Sequence, residues 1–179
     1  MQQQELVLLI KACKQNNQKA QIAVYDLFFK AMYNTAFRFV QQQDIAEDIT
    51  QDAFIVAFTK MNSLQNEITF SKWLKQIVVN KSLTHLKQRK KFCELHTNLS
   101  FTSIEEPEGF EIDIADVGVQ NIIKAINSLK DNYRVLLTLH FIEGFDYDEI
   151  VKITGLTHVN CRTIISRAKI SLKKTLKRC

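Results

Sequence analysis

Apolar residues recur three and four positions apart along most of the chain, which is the spacing of one helix face. Residues 1–40 are predicted to form one or two helices. A new helix is predicted to begin near Asp44, with Glu47 placed as in a capping box. After a polar loop at 62–69, the next helix should cover residues 70–91. Because glycine and proline occur only four times and once, the pattern indicates an all-α protein.

The periodic pattern is interrupted between the two halves of the chain. Residues 92–118 contain the only proline and a run of acids without Lys or Arg, so they are predicted to form an acidic linker. Helical spacing resumes at 119–129, and a further helix is predicted from about Asp131 to Ile142. The sequence thus predicts two small helical domains joined by a flexible segment.

The strongest local pattern begins at Asp146, which can cap a short helix with Glu149 in the capping-box position. Gly155 can end that helix, and Thr157 can cap the next one. On the second helix one apolar stripe is formed by Cys161, Ile164, Ile165, Ala168 and Leu172. A turn containing glycine, followed by a helix with a cationic and hydroxylated outer face, is typical of a DNA-reading helix-turn-helix. An ordinary helical hairpin with a solvated basic face is the alternative.

Charge is distributed unevenly along the chain. The formal net charge is +5, and two acid-free basic stretches, at 68–93 and 150–179, flank the acidic linker. Two cationic surfaces suggest a polyanionic partner such as nucleic acid. Trp73 lies beside two lysines and could stack on bases, although its apolar neighbours favour a core position.

Three polar side chains of the helix near Asp44 share one face, namely those of Asp48, Gln51 and Asp52. Like charges four residues apart cost roughly 0.2–0.5 kcal/mol on a helix. A solvated acidic face explains them in one interpretation, and docking onto a basic protein surface explains them in another. A metal-dependent nuclease using Glu47, Asp48 and Asp52 is disfavoured, because no histidine or basic phosphate cradle accompanies them.

Metal and membrane classes are disfavoured by the same sequence. The four cysteines are scattered without a CxxC pair, whereas a structural zinc site needs about four ligands. We therefore predict no metal and no cofactor. The N-terminal apolar run is too short for a signal peptide, and nothing approaches the ~20 apolar residues of a membrane span. A cytoplasmic protein without membrane insertion is expected.

Three blocks together resemble the bacterial sigma-70 family, specifically its extracytoplasmic-function (ECF) group. They are EDITQDAF at 47–54, FSKWLKQIVVNKSLTHLKQRKK at 70–91, and FIEGFDYDEIVKITGLTHVNCRTIISRAK at 141–169. In that family the first block docks on the polymerase β′ subunit, the second opens and reads the minus-10 element, and the third reads the minus-35 element. The resemblance implies a region 2-like domain at 1–91, the linker at 92–118 and a region 4-like domain at 119–179.

The resemblance also implies site residues. Core polymerase would be contacted by Asp48, Gln51 and Asp52. Minus-10 DNA would be contacted by Lys72, Lys75, Asn80, Lys81, Thr84 and Lys87, and the loop at 62–69 would capture a flipped-out base. Minus-35 DNA would be contacted by His158, Asn160, Arg162, Thr163, Ser166, Arg167 and Lys169. Thr84 and Lys87 depart from the Asp and Arg common in the family, and Cys161 replaces the usual Val.

The implied function is that of a sigma factor, which binds core RNA polymerase (its β′ and β subunits) and directs initiation at a promoter without making or breaking a bond itself. An anti-sigma factor is the further partner that the family implies. The alternative is a stand-alone helix-turn-helix regulator that binds duplex DNA without polymerase.

Overall fold

The computed structural model describes residues 3–89 and 118–177 of the chain. Within those ranges all regular structure is helical, which confirms the all-α class. The α-helices are α1 (Gln3–Lys14), α2 (Gln18–Val40), α3 (Gln43–Thr59), α4 (Phe70–Gln88), α5 (Val119–Asn127), α6 (Asp131–Leu137), α7 (Tyr147–Thr154) and α8 (His158–Leu176). Two short 3-10 turns, Met61–Ser63 and Glu67–Thr69, join α3 to α4. The predicted linker, apart from Gly118, and Lys90 and Lys91 lie outside the described residues.

The chain divides into two compact units, Met1–His85 and Leu86–Cys179. That division falls inside α4, whereas the sequence places the end of the first domain at residue 91. The domain limits 1–91, 92–118 and 119–179 therefore stay a prediction, and each unit is described by itself.

The first unit is built around aromatic side chains. Helix α2 packs against α3, and α1 packs against α2 and against the turn Glu67–Thr69. Phe39, Phe54 and Phe70 are almost completely buried, each contributing roughly 1.5–3 kcal/mol of hydrophobic stabilisation. The Tyr25 ring lies 4.8 Å from that of Phe54, which joins α2 to α3. The predicted aromatic core of the N-terminal half is thus present.

The start of α3 differs from the predicted capping box. The N-cap position is Gln42, whose side chain makes no capping hydrogen bond, and Asp44 lies within the first turn. A helix does begin near Asp44, but the prediction of Asp44 as its cap is wrong, because the N-cap lies two residues earlier, at Gln42. An acid in the first turn still interacts favourably with the positive end of the helix dipole.

The second unit is organised around α8, which packs against α5, α6 and α7. The five residues of the predicted stripe, Cys161, Ile164, Ile165, Ala168 and Leu172, are all buried. Arg134 of α6 is buried as well, and its guanidinium lies 3.0 Å from the Asp131 carboxylate. Burial lowers the pKa of Arg134, while the charge and hydrogen bond of Asp131 oppose that shift.

The turn before α8 follows the sequence prediction closely. Asp146 accepts a hydrogen bond from the Glu149 backbone N–H, and the Glu149 carboxylate accepts one from the Asp146 backbone N–H. Gly155 has a φ of 78°, a left-handed conformation that suits glycine. The Thr157 hydroxyl accepts a hydrogen bond from the Asn160 backbone N–H and caps α8. The capping box and both helix ends are confirmed.

Helix α6 is shorter than predicted. It ends at Leu137 and continues as a π-helix over Thr138–Ile142. The Glu143 N–H donates to the Thr138 carbonyl, and the Phe145 N–H donates to the Leu139 carbonyl. This wider turn leads the chain into the cap of α7, where Phe145 is buried.

Replacing Asp146 with Ala should lower the local stability of α7 and α8 by about 1 kcal/mol, because the Glu149 backbone N–H loses its side-chain acceptor. Asp146→Asn should retain most of that stability. Native-state hydrogen exchange of the α7 and α8 amides measures the effect, with the α2 and α3 amides as an internal reference. Equal exchange in the wild type and Asp146→Ala would contradict the prediction.

Candidate nucleic-acid interfaces and an acidic docking face

Helix α3 presents an exposed face made of Asp48, Gln51, Asp52 and Ile55. Ile55 is 63% exposed, which is unusual for a large aliphatic side chain. The Gln51 amide donates to the Glu47 carboxylate at 3.4 Å along the same helix. The predicted grouping of these residues is therefore present, with one apolar side chain among polar ones.

Asp52 has a partner within the first unit. Its carboxylate lies 3.1 Å from the ammonium of Lys81 on α4, and the Asp52 side chain is 64% exposed. An exposed ion pair of this kind stabilises a protein by about 0–1 kcal/mol. The pair joins a residue predicted to contact polymerase with one predicted to contact DNA, so part of the charge on each surface is balanced by the other.

Helix α4 presents polar residues along one exposed row. Lys72, Asn80 and Thr84 follow one another at multiples of four residues and are exposed, as are Lys87 and Arg89. The Asn80 Oδ1 accepts a hydrogen bond from Gln76 at 3.3 Å. The Thr84 hydroxyl donates to the Asn80 carbonyl at 2.8 Å. Lys75 and Lys81 are half-buried, so they are less accessible than the other predicted cations.

Trp73 lies at the edge of the core of the first unit. Its ring centroid lies 6.1 Å from that of the buried Phe70, yet the side chain is only half-buried. One side of the indole therefore packs on the core of the first unit, while part of it stays accessible beside Lys72.

The loop between α3 and α4 is tied to α1. The Lys14 ammonium donates to the Leu64 carbonyl at 2.7 Å and to the Glu67 carboxylate at 2.8 Å. The hydrogen bond from Lys14 holds the pKa of Glu67 below its ordinary value. Sequence reasoning assigned Lys14 no role, because its partners lie 50 and 53 positions away.

The exposed residues of α8 lie near both of its ends, and Lys173 and Lys174 are those near the C-terminal end. His158, Val159 and Arg162 are exposed, and Val159 is 62% exposed. The His158 ring lies 3.6 Å from the Asp148 carboxylate of α7. Asn160 and Thr163 are half-buried, and the Thr163 hydroxyl donates to the Val159 carbonyl. Val159 was not among the predicted contacts, all of which are polar or charged residues.

Two cations of α8 lie against aromatic rings. The Arg162 guanidinium is 5.6 Å from the centre of the Tyr147 ring, and the Lys169 ammonium is 5.6 Å from that of Phe141. Such contacts are worth roughly 0.5–1 kcal/mol at exposed sites. The rings of α7 and the π-helix therefore orient these two cations.

Ser166 does not lie where the sequence placed it. The side chain is buried, with 4% of its surface exposed, and its hydroxyl has no hydrogen-bond partner among the described residues. The predicted position on the outer face is wrong, because α8 packs against three other helices and more than its apolar stripe is covered.

Residues 3–89 and 118–177 contain no group of three or more His, Cys, Asp or Glu side chains that could hold a metal ion. Cys13 and Cys161 are buried thiols, and burial raises the pKa of Cys161 to about 11. None of the helices in the described ranges is both long and apolar enough to cross a membrane.

Two family models match the chain in order. The sigma-70 region 2 model matches residues 24–92, and the sigma-70 region 4 model matches residues 120–172. Together they cover about two thirds of the 179 residues. The three sequence blocks that carried the resemblance fall within these matched segments.

Proteins of similar sequence are named as ECF RNA polymerase sigma factors. The ECF RNA polymerase sigma factor SigW of Bacillus subtilis is 25% identical over 94% of this chain and 95% of its own length. The ECF RNA polymerase sigma-E factor of Escherichia coli is 25% identical over 90% and 89%.

Solved structures show the same fold. The sigma factor RpoE of Bartonella quintana, in complex with the anti-sigma factor NepR, has a TM-score of 0.56 at 24% identity, covering 87% of this chain and 95% of its own. CnrH, in complex with the cytosolic domain of CnrY, has a TM-score of 0.58 at 19% identity, covering 97% of each chain. With both sigma-70 regions matched in chain order, the chain belongs to the sigma-70 family of RNA polymerase sigma factors, in its ECF group.

Proposed function

We propose that the surfaces described above divide the work of a sigma factor among α3, α4 and α8. As a member of this family the protein binds core RNA polymerase and directs promoter-specific initiation. The observation that carries the division is that three helices each bury one side and expose another. In chain order, α3 exposes an acidic face with one apolar residue, α4 exposes a polar and basic row, and α8 belongs to a helix-turn-helix. In this division the chain makes and breaks no bond, and it acts where RNA polymerase acts, in the cytoplasm.

The α3 face is suited to docking on the polymerase β′ subunit. Asp48 and Gln51 are exposed polar residues on this face, and the exposed Ile55 beside them offers an apolar surface for a partner protein. Interfaces of this kind combine a desolvated apolar centre with a polar rim. Asp52 contributes through the same face, although docking there must compete with its ion pair to Lys81.

The α4 row is suited to the minus-10 element. Lys72 and Lys87 supply phosphate affinity, Asn80 can both donate to and accept from a base edge, and the accessible part of Trp73 can stack on an unpaired base. Lys81 joins them when its pair with Asp52 opens. Thr84 donates back to its own helix, so its contribution to DNA contact is the weakest of the predicted set.

The N-terminal end of α8 is suited to the minus-35 element. A recognition helix reads the major groove mainly through its first residues, and here those are His158, Val159 and Arg162. Arginine can donate two hydrogen bonds to guanine, and an apolar side chain can contact a thymine methyl group. Four other predicted residues of α8 are half-buried and suit contact with phosphates better than contact with bases: Asn160, Thr163, Arg167 and Lys169.

An anti-sigma factor is the remaining partner that we propose. RpoE of Bartonella quintana is bound to the anti-sigma factor NepR. Ile55 and Val159 are exposed apolar residues on the polymerase-facing and DNA-facing surfaces, and an inhibitor that covered both would block both tasks.

Run-off transcription tests the function. Purified protein with core RNA polymerase should initiate at discrete sites on genomic fragments selected by the reconstituted holoenzyme, and initiation should weaken steeply as salt is raised, since each neutralised phosphate adds about 0.9 to the salt slope. Core polymerase alone is the control. Footprinting of a palindrome by the free protein, with no specific initiation, would instead favour a stand-alone regulator.

Asp48→Arg should weaken binding to core polymerase by about tenfold, because it places a cation on a face proposed to meet a basic surface. Asp26→Arg makes the same change at another exposed acid of the first unit, and it should change affinity less than about twofold. Fluorescence anisotropy with labelled protein measures both affinities. An equal loss in the two variants would show a non-specific charge effect and contradict the docking role.

Arg162→Ala and Ser166→Ala form a matched pair on α8. Arg162→Ala should cost about 1–3 kcal/mol of binding at one minus-35 base pair and leave the other positions unchanged. Ser166→Ala should leave promoter binding unchanged and slightly raise stability, because it removes a buried hydroxyl that has no partner in the described structure. Holoenzyme titrations against single-base promoter variants measure both effects. A base-specific loss in Ser166→Ala would contradict the buried placement.

A further inference from the structure

Lys14 connects two parts of the first unit that are distant in sequence. It is the last residue of α1, and its ammonium bridges the Leu64 carbonyl and the Glu67 carboxylate. The side chains of Lys14 and Glu67 are only 23% and 20% exposed. A partly buried pair of this kind is screened by salt less than a fully exposed one.

The two acceptors of Lys14 flank Gln65 and Asn66. Leu64 is buried and anchors the loop on one side. On the other side the Asn66 Oδ1 accepts from the Ile68 N–H at 2.9 Å, and the Thr69 hydroxyl donates to the Asn66 carbonyl at 2.8 Å. Residues 66–69 are thus held by hydrogen bonds among themselves. Lys14 of α1 adds a link between Leu64 and Glu67, on either side of Gln65 and Asn66.

The loop leads directly into α4. Gln65 and Asn66 are exposed, and the turn Glu67–Thr69 is followed at once by Phe70, the first residue of α4. Side-chain amides carry both donors and acceptors, which suits them to base edges. A loop that reads a base must hold its shape before DNA arrives, because ordering it during binding would reduce the affinity.

We propose that Lys14 is a positioning residue for minus-10 recognition, which holds Gln65 and Asn66 in the arrangement that accepts an unpaired base. This inference rests on the proposed role of the α4 surface in minus-10 recognition and on the base capture that the family resemblance implies for the loop at 62–69. Lys14 itself acts through the loop and not by touching the base. Its cation also balances Glu67, an acid that would otherwise repel the phosphates passing this loop.

The test measures base preference. On the promoter obtained by selection, each minus-10 base is changed in turn, and open-complex formation by the holoenzyme is followed by 2-aminopurine fluorescence. In Lys14→Met the preference at one or two adjacent minus-10 positions should fall about fivefold, while minus-35 preference and core-polymerase affinity stay as in the wild type. Lys14→Arg, which keeps a cationic donor, should retain most of the preference.

Two further variants separate this role from a simple loss of charge or of fold. Lys19→Met removes one exposed cation from the same unit and should leave every base preference intact. Glu67→Gln weakens the same contact from the loop side, without changing α1, and should shift preference at the same positions by a smaller factor. It keeps the inference testable if Lys14→Met does not fold.

Several outcomes would overturn the inference. A wild-type pattern of preference in both Lys14→Met and Glu67→Gln would do so, as would an equal change in Lys19→Met. A fall in activity that matches a fall in thermal stability, with all preferences unchanged, would show that Lys14 only stabilises the fold. Failure of the wild-type holoenzyme to initiate specifically would overturn the proposed function and this role with it, whereas specific initiation with preferences unaffected by Lys14 overturns this role alone.

Discussion

Each functional helix is held by apolar residues along one side, and that burial decides which residues can meet a partner. On α8 the buried stripe and the contacts with α5, α6 and α7 leave exposed residues only near the two ends of the helix. On α4 burial of Phe70, Leu74 and Val78 turns the row containing Asn80 towards solvent. Because a core side chain contributes roughly 1.5–3 kcal/mol and a surface contact far less, packing fixes the orientation and the polar groups adapt to it.

The polar contacts that shape the first unit join residues far apart in the chain. Lys81 meets Asp52 across 29 positions, and Lys14 meets Glu67 across 53. In both contacts a carboxylate neutralises a lysine that a simple count of residues would assign to the positively charged surface. The unpaired positive charge of this unit is therefore smaller than its lysine content suggests, and the DNA contacts that we propose rest on fewer cations.

Local features of the fold could be predicted from the sequence, since their causes lie within a few residues. The capping box at Asp146, the left-handed Gly155 and the stripe from Cys161 to Leu172 belong to this class. Features that depend on tertiary packing could not be predicted from the sequence. Helical spacing places Ser166 away from the stripe, yet three packed helices bury it. The same spacing gives no sign of the π-helix at Thr138–Ile142, of the partner of Asp52 or of the bridge made by Lys14.

The ion pair between Asp52 and Lys81 has a consequence for how the two tasks of the first unit relate. In the docking that we propose, a polymerase surface that engages Asp52 competes with Lys81 for the same carboxylate, and the Lys81 ammonium beside the α4 row is released. The exchange costs little, because an exposed pair contributes about 0–1 kcal/mol. The freed cation can then neutralise a phosphate, which couples polymerase binding to DNA affinity by at most the energy of that one pair. Such a modest coupling favours DNA contact by the holoenzyme over contact by the free protein, and it needs no change in the helices themselves.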